Sequence, residues 1–334
     1  MSPEAANELM ERSPPIAVAA ARATPTQRGR LALAMAIFAL LIWSTLAVSV
    51  VSLSDLSPLL TTGIGLAVGG MLGLPWVPWR LIPLRAVVVG GSSMFGYHAL
   101  YFVSLQTADP VAANLLHYLW PLMIILFSPF ILKGTKMENR HLAAGVMGFI
   151  GAGVCLAPGF STQGSVAVGL PIALSSAAIW AYYSVWSRRF PDISTAAVSL
   201  YCLIAGAASL LTYLALGIYP NIDWWHLGGN LDAPTPTQWM TLGYLAIGPL
   251  GGAFYLWDYA MKRGNPHQVA LLAYAVPIAS TIFVSLYLGR GLERATMAGA
   301  LLVTIAVAIG GRPPKQNLPK AQLSKGNGNG QVCD

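Results

Sequence analysis

Long apolar runs and short polar segments alternate along most of the chain. Ten runs approach the roughly 20 residues that a helix needs to cross the hydrocarbon core of a bilayer. Segments with the strict polar–apolar alternation of membrane β-barrels are absent from the sequence. The pattern therefore predicts an all-α membrane protein with ten transmembrane helices. The runs are 31–52, 56–76, 86–106, 111–132, 142–157, 167–187, 194–217, 239–261, 267–288 and 295–310.

The composition supports this class and the distribution of charge orients it. The chain of 334 residues is 55% hydrophobic and 9% charged, whereas soluble domains carry about 25% charged residues. If the N-terminus is cytoplasmic, every Lys and Arg except Arg290 and Arg294 falls in a cytoplasmic segment. The positive-inside rule then predicts that both termini are cytoplasmic. The basic residues behind the net charge of +7 set orientation and meet anionic lipid, so nucleic acid is not an expected partner.

Two sets of matching residues indicate an internal repeat. Leu115-Leu116, Tyr118 and Pro121 recur 156 residues later, and the pair Trp43 and Asp55 recurs 137 residues later as Trp180 and Asp192. One insertion of 19 residues, the loop at 219–237, accounts for the difference between the two offsets. The chain is therefore predicted to be an inverted repeat of five helices plus five, as in many transporters. The predicted parts are a disordered tail at 1–29, repeats at 30–158 and 159–311, and a disordered tail at 312–334.

Polar and aromatic side chains mark the faces that are expected to line a cavity. Polar groups inside a membrane are costly and normally face the bundle interior or water. In the third, fourth and sixth helices they recur at spacings of three and four, which places them on one helical face. We favour a central cavity, and interhelical hydrogen bonding within a packed bundle remains the alternative. The candidates are Tyr97, His98 and Tyr101, then Asn114, His117, Tyr118 and Trp120, and then Trp180 and Tyr183.

Other features are open to a structural interpretation. Asp258 is expected near the cytoplasmic surface, in an i, i+4 pair with Lys262, although a role in proton coupling is a second possibility. Trp43 and Trp180 could both serve packing. The loop at 219–237, with Trp224 and Trp225, is expected at the outer interface or as a lid.

Catalytic chemistry and metal binding receive no support from the sequence. No known catalytic or nucleotide-binding motif occurs, and neither the three cysteines nor the histidines have the spacing of metal ligands. We therefore expect neither enzymatic activity nor a cofactor. Gly145, Gly148, Gly151 and Gly153 predict close helix packing.

Residues 113–121, Ala-Asn-Leu-Leu-His-Tyr-Leu-Trp-Pro, resemble a motif of the aromatic amino-acid exporter branch of the drug/metabolite transporter superfamily, EamA type. The ten helices, the inverted repeat and the helix starts of Pro-x-x-Ala-x-Leu type are similar to this superfamily over about 31–311. The resemblance implies a bacterial inner-membrane carrier without ATP-binding domains, with a central cavity lined mainly by the third, fourth, sixth and eighth or ninth helices. His117 stands where the motif has Asn or another polar residue. The implied cavity residues are Tyr97, His98, Tyr101, Asn114, Tyr118, Trp120, Trp180 and Tyr183.

The leading hypothesis is an alternating-access exporter of aromatic and other neutral amino acids, with a single chain as the functional unit. Aromatic walls suit an apolar side chain and an α-ammonium group, and Pro121 and Pro277 are predicted to kink the fourth and ninth helices. A multidrug or quaternary-cation exporter is one alternative, with Asp258 as the acidic candidate. A membrane binding module without transport is another. Proton coupling and facilitated diffusion both fit the sequence.

Overall fold

The computed structural model describes residues 25–53, 55–108, 110–157, 166–218, 234–287, 289, 291 and 293–310. Asp109, Arg290, most of the predicted outer loop and nearly all of both predicted tails lie outside these ranges. Within them the regular structure is helical, with no strand, as the apolar pattern predicts. The α-helices are α1 (Pro25–Ser44), α2 (Leu46–Ser52), α3 (Pro58–Leu72), α4 (Leu84–Thr107), α5 (Pro110–His117), α6 (Trp120–Ile131), α7 (Asn139–Leu156), α8 (Val166–Ser187), α9 (Val198–Ile218), α10 (Pro236–Ile247), α11 (Ala253–Arg263), α12 (Pro266–Leu272), α13 (Ala275–Tyr287) and α14 (Arg294–Gly310).

Several helical segments are long and apolar enough to cross a membrane. Within the described residues five segments meet this criterion, and α3 and α14 are shorter apolar helices. The chain is therefore a multi-pass membrane protein. The five segments are Leu84–Leu105, Ala112–Ile131, Val168–Ser187, Thr195–Leu216 and Pro266–Tyr287.

Two of these segments are interrupted close to the prolines that the sequence singled out. Pro121 lies in the first turn of α6, after a break between His117 and Trp120, and Pro277 follows the break between α12 and α13. Because proline has no N–H, it cannot complete the ladder of helical hydrogen bonds. The chain tightens into three-residue turns instead, as in the bond from the Leu119 N–H to the Leu116 carbonyl at 3.0 Å. Pro129, by contrast, lies inside α6 without ending it.

The helix pairs recur in a regular order along the chain. Helix α4 packs against α8 and α9, and the later helices α11 and α10 pack against the earlier α1 and α3. The α5–α6 segment lies against α8, and the α12–α13 segment lies against α1. Helix α3 also packs along α9, and α7 packs along α14.

Glycine permits the closest of these approaches. A Cβ atom added at Gly151 would lie 3.0 Å from the Gly299 carbonyl oxygen, and one added at Gly148 would lie 2.4 Å from the Tyr274 ring. Gly148 and Gly151 therefore confirm the predicted close packing of α7, the first against Tyr274 and the second against α14.

A π-helical turn at Gly248–Gly252 joins α10 to α11. A Cβ atom at Gly251 would lie only 2.0 Å from the Ala246 carbonyl oxygen, so this turn requires glycine there. Turns of this kind often occur at functional sites, and this one leads directly into the aromatic residues of α11.

Candidate functional site

Tyr97 on α4 is at the centre of a cluster of aromatic and imidazole rings. Its ring centroid lies 4.4 Å from that of His98, 5.3 Å from that of His117 and 5.0 Å from that of Trp180. It also stacks on Tyr101 at 6.3 Å with an interplanar angle of 5°. Helices α4, α5 and α8 thus contribute to one continuous cluster.

A hydrogen bond extends this cluster towards the start of α5. The Tyr101 hydroxyl donates to the Asn114 side-chain oxygen at 2.8 Å. The His117 ring lies 4.3 Å from Tyr101 and 6.3 Å from Tyr118. Since the Asn114 oxygen accepts from a tyrosine, its NH₂ group supplies the remaining hydrogen-bond donors of the amide.

Trp180 links Trp120 and Tyr183 to the cluster around Tyr97. Its ring lies 6.4 Å from Trp120 and 5.6 Å from Tyr183. All nine side chains that the sequence singled out as candidate ligands are therefore brought together. His98, His117, Trp120, Trp180 and Tyr183 are buried, and the other four, Tyr97, Tyr101, Asn114 and Tyr118, are half-buried.

Hydrogen bonds assign the ring protons of the two histidines. The His98 Nδ1 atom lies 2.7 Å from the Met94 carbonyl oxygen, which can only accept. The His117 Nδ1 atom lies 3.0 Å from the Ser176 hydroxyl, whose own hydrogen is donated to the Ala173 carbonyl oxygen. Both Nδ1 atoms therefore donate, and in each neutral ring Nε2 is the acceptor.

Three further aromatic residues join the cluster around Trp180, and the sequence did not assign them to the site. Trp43 lies 5.7 Å from Trp180, 5.5 Å from Phe254 and 5.4 Å from Trp257. Trp257 is 1% exposed and contacts Trp120 at 5.3 Å. The recurrence of Trp43 at position 180 was the signal that could have placed Trp43 here. The nine predicted residues and these three together form the aromatic network.

Corresponding residues of the two parts of the chain meet within this network. Trp43 and Trp180 are 137 residues apart in sequence, and their rings are in contact. His98 and Phe254 are related by the offset of 156 residues, and their rings lie 5.8 Å apart. The chemistry on the two sides differs, because three polar residues of the first part have alanine at the position 156 residues later. Tyr97, Asn114 and His117 correspond to Ala253, Ala270 and Ala273.

Asp258 and Lys262 lie close to the network on α11 and form the predicted i, i+4 ion pair, with a distance of 2.8 Å. Both side chains are enclosed by protein, because they are only 1% and 4% exposed. Residues 191–196 cover this part of α11. Within that segment the Thr195 hydroxyl donates to Asp258 at 2.9 Å, and the Lys262 ammonium group donates to the Ile193 carbonyl oxygen at 3.0 Å.

A separate cavity of about 510 Å³ lies beside α11 and contains none of the nine predicted residues. It is enclosed by the first half of α1, the end of α3, the segment 191–196 and one face of α11. Its lining combines apolar and aromatic side chains with a few charged ones. No cluster of three or more potential metal ligands occurs in the part of the chain that the structure describes.

Comparison with known proteins gives concordant matches. The sequence pattern of the EamA-like transporter family matches residues 30–157 and, a second time, residues 167–310. The aromatic amino acid exporter YddG of Ancylobacter novellus is 35% identical over 82% of this chain and 92% of its own length. YddG of Salmonella typhimurium is 23% identical over 80% and 92%. One solved crystal structure has 32% identity and a TM-score of 0.74, covering 84% of this chain and 97% of its own.

Proposed function

Because this chain belongs to the EamA-like transporter family, of the drug/metabolite transporter superfamily, we propose that it exports aromatic and other neutral amino acids, and related metabolites, across a bacterial inner membrane. Membership of this family indicates a transporter rather than an enzyme. The observation that carries the proposal is the aromatic network, which joins apolar ring surfaces to a polar edge formed by His98, Asn114 and His117. Relatives that are named aromatic amino acid exporters support the substrate class.

The proposed topology has ten membrane crossings, with both termini in the cytoplasm. Four crossings are composite, namely α1–α2, α5–α6, α10–α11 and α12–α13, and the other six are single helices. The two repeats are 30–158 and 159–311. Two successive family matches and the recurring helix pairs support this division.

The substrate is proposed to bind at the contact between the repeats. Corresponding residues related by a two-fold axis touch each other only near that axis, and Trp43–Trp180 and His98–Phe254 are two such contacts. In inverted-repeat transporters the substrate site lies at this interface, near the membrane midplane.

The polar edge matches the two charged ends of an amino acid. The Asn114 NH₂ group can donate to a carboxylate, because its oxygen already accepts from Tyr101. The Nε2 atoms of neutral His98 and His117 can accept from an ammonium group, which the faces of Tyr97 and Trp180 also attract. An indole or phenyl side chain would then lie against the remaining rings.

Alternating access is proposed to use the two breaks before Pro121 and Pro277. Each break removes helical hydrogen bonds from a segment that contacts the opposite repeat, so each can serve as a hinge. The resulting motion would expose the polar edge to one side of the membrane at a time.

A quaternary-cation exporter is the second candidate, and its acidic residue would be Asp258. That carboxylate is buried and paired with Lys262 at 2.8 Å, so it already has a countercharge. The amino-acid proposal is therefore better supported. A membrane binding module without transport would require saturable binding without flux.

The proposal is tested in proteoliposomes with radiolabelled tryptophan, unlabelled competitors and an imposed pH gradient. We expect uptake that other neutral amino acids inhibit and quaternary cations do not. Trp120→Ala and His98→Ala should abolish or strongly reduce it, whereas Trp239→Ala, at a residue 51% exposed on α10, should not. Unfolding temperatures identify variants that fail only because they do not fold.

Three outcomes would change the proposal. Unaltered transport of every substrate by both network variants would remove the site assignment. Transport of a cation in place of tryptophan would remove the substrate class and leave the fold intact. A change in rate with the pH gradient would assign proton coupling, and the mass of the purified protein tests the expected monomer.

A further inference from the structure

Two buried histidines meet where α7 and α12 begin, outside the aromatic network. The ring centroids of His141 and His267 lie 4.5 Å apart, and the two residues are only 6% and 2% exposed. His141 belongs to the first repeat and His267 to the second. The contact therefore joins the two repeats, on the side that is cytoplasmic in the proposed topology.

The hydrogen bonds of His141 require a neutral ring. The Glu138 backbone N–H, which can only donate, lies 3.2 Å from His141 Nδ1. That nitrogen is therefore the acceptor, and Nε2 carries the ring proton. The bond is one half of the capping box that begins α7, in which the Glu138 side chain accepts from the His141 backbone N–H. A second proton on the ring would set two N–H donors against each other and break this half of the box.

The surroundings of His267 also disfavour an added proton. Its Nε2 atom is buried and has no hydrogen-bond partner within the described residues, and both ring nitrogens of a histidine cation are donors. The charged groups that act on the pair are Glu138, Arg140 and Arg188. The two arginines repel a proton, and the Glu138 carboxylate is 47% exposed and already paired with Arg140 at 2.8 Å. The closed contact is therefore compatible with neutral rings only.

The contact restrains the cytoplasmic part of a hinged segment. Helix α12 begins at Pro266, where the Asn265 side-chain oxygen accepts from the His267 backbone N–H at 2.9 Å. It ends at the break before Pro277, one of the two proposed hinges. Helix α12 packs against α6 and α7 of the first repeat. Separation of the two rings would therefore move α12 away from the first repeat.

The pair is confined to one end of the molecule by the sequence. The offset of 156 residues relates His267 to Val111 and His141 to Met297. Neither valine nor methionine takes up a proton. The repeat thus supplies a titratable contact at the proposed cytoplasmic end and an apolar pair of residues at the corresponding outer positions.

We propose that the His141–His267 contact is a pH-sensitive latch, which holds the cytoplasmic side closed while both rings are neutral and releases α12 when either ring takes up a proton. This rests on the proposed function, because the latch regulates access to the substrate site. Separated rings reach water, where histidine has an ordinary pKa of about 6.5. Protons therefore bind preferentially to the separated state, and a fall in cytoplasmic pH favours that state.

The size of the effect follows from this linkage. If one ring takes up a proton only in the separated state, the ratio of separated to closed molecules rises about tenfold between pH 7.5 and pH 5.5. If both rings do so independently, the rise is about 100-fold. The two limits define the range that a measurement should find.

The experiment measures the distance between spin labels on Lys136→Cys and Gln268→Cys, in the full chain with its three natural cysteines replaced by serine. Lys136 is exposed just before α7, and Gln268 is half-buried on α12. The protein is held in liposomes without substrate, with the same pH on both sides, so the result does not depend on a proton gradient. We expect a longer distance whose share rises at least tenfold from pH 7.5 to pH 5.5.

Two substitutions remove the protons and keep the packing. His267→Phe retains a ring, and His141→Gln retains an acceptor for the Glu138 N–H, because glutamine is a usual residue at this position of a capping box. The double variant should lose the pH response that the wild type shows beyond any contribution of the network histidines. The matched control is His226→Phe, in the predicted outer loop, which should respond as the wild type does.

Three results would overturn the latch, namely no pH response in the wild type, an unchanged response in the double variant, or an equal loss in His226→Phe. Unfolding temperatures identify a variant that does not fold, and the single variants then carry the test, each with a reduced response. A pH response in a protein that does not transport amino acids would keep the latch and remove the proposed function. Tryptophan transport without the response would remove the latch alone.

Discussion

Removing one member of the Asp258–Lys262 pair should destabilise the protein more than removing a surface ion pair of equal length. Asp258→Asn leaves the Lys262 ammonium group, 4% exposed, without its countercharge. Breaking a buried pair in this way typically costs about 3–5 kcal/mol. The Ile193 carbonyl oxygen at 3.0 Å offsets part of this cost, so we expect the lower end of the range.

A double variant removes both charges of the pair. In Asp258→Asn, Lys262→Met no charge remains buried, and asparagine still accepts a hydrogen bond from Thr195. Replacing a buried ion pair with uncharged groups of similar volume is often close to neutral. The double variant should therefore be more stable than Asp258→Asn alone and close to the wild type.

The assay is thermal and denaturant unfolding in detergent micelles, and Arg140→Gln is the matched control. Arg140 forms an ion pair with Glu138 that is also 2.8 Å long, but the side chains are 23% and 47% exposed. Because exposed pairs contribute little, this variant should unfold close to the wild type. A stable Asp258→Asn protein, or a double variant less stable than the single one, would refute the reasoning. A stable double variant that has lost gradient-driven transport would instead assign Asp258 a coupling role.

Three further predictions concern packing, recognition and motion. Gly151→Ala should lower the unfolding temperature, because its Cβ would press on the Gly299 carbonyl oxygen and on the Val303 and Leu302 side chains. Gly243→Ala, with no atom within 4 Å of the new Cβ, should not, and equal effects would contradict the packing argument. Tyr101→Phe removes the 2.8 Å hydrogen bond that orients the Asn114 amide. A loss of about 0.5–1.5 kcal/mol of binding free energy should raise the KM for tryptophan about two- to tenfold. An unchanged KM would exclude the polar edge from substrate binding. Pro121→Ala and Pro277→Ala should each lower the maximal transport rate with little change in KM, and a change confined to KM would show that the breaks shape the site instead of moving it.

The parts of the fold that the sequence predicts well are those that depend on local spacing. Runs of apolar residues near bilayer length predicted the helices, because lipid leaves the backbone no alternative within a spanning segment. The faces of α4 and α5 were predicted for a related reason. His98, Tyr101, Asn114 and His117 are too polar to face lipid, and their spacing places each set on one side of a helix.

The parts that the sequence does not predict depend on contacts between distant segments. Trp43 and Phe254 are more than 200 positions apart, yet their rings meet at 5.5 Å. Nothing in the α11 sequence indicated that residues 191–196 cover Asp258. An acidic residue four positions before a lysine, near the end of an apolar run, has the pattern of an interfacial pair until tertiary structure encloses it.

The proposed transport cycle combines symmetric architecture with asymmetric chemistry. The helix pairs and the breaks near Pro121 and Pro277 recur in both parts of the chain, so either part supplies a hinge. Three polar side chains of the network do not recur, because alanine occupies the positions that correspond to Tyr97, Asn114 and His117. Under the proposed function, the charged groups of the substrate therefore bind to the first repeat in both access states. The small residues and large rings of the second repeat can then slide past the substrate without breaking polar contacts, which keeps the barrier between the two states low.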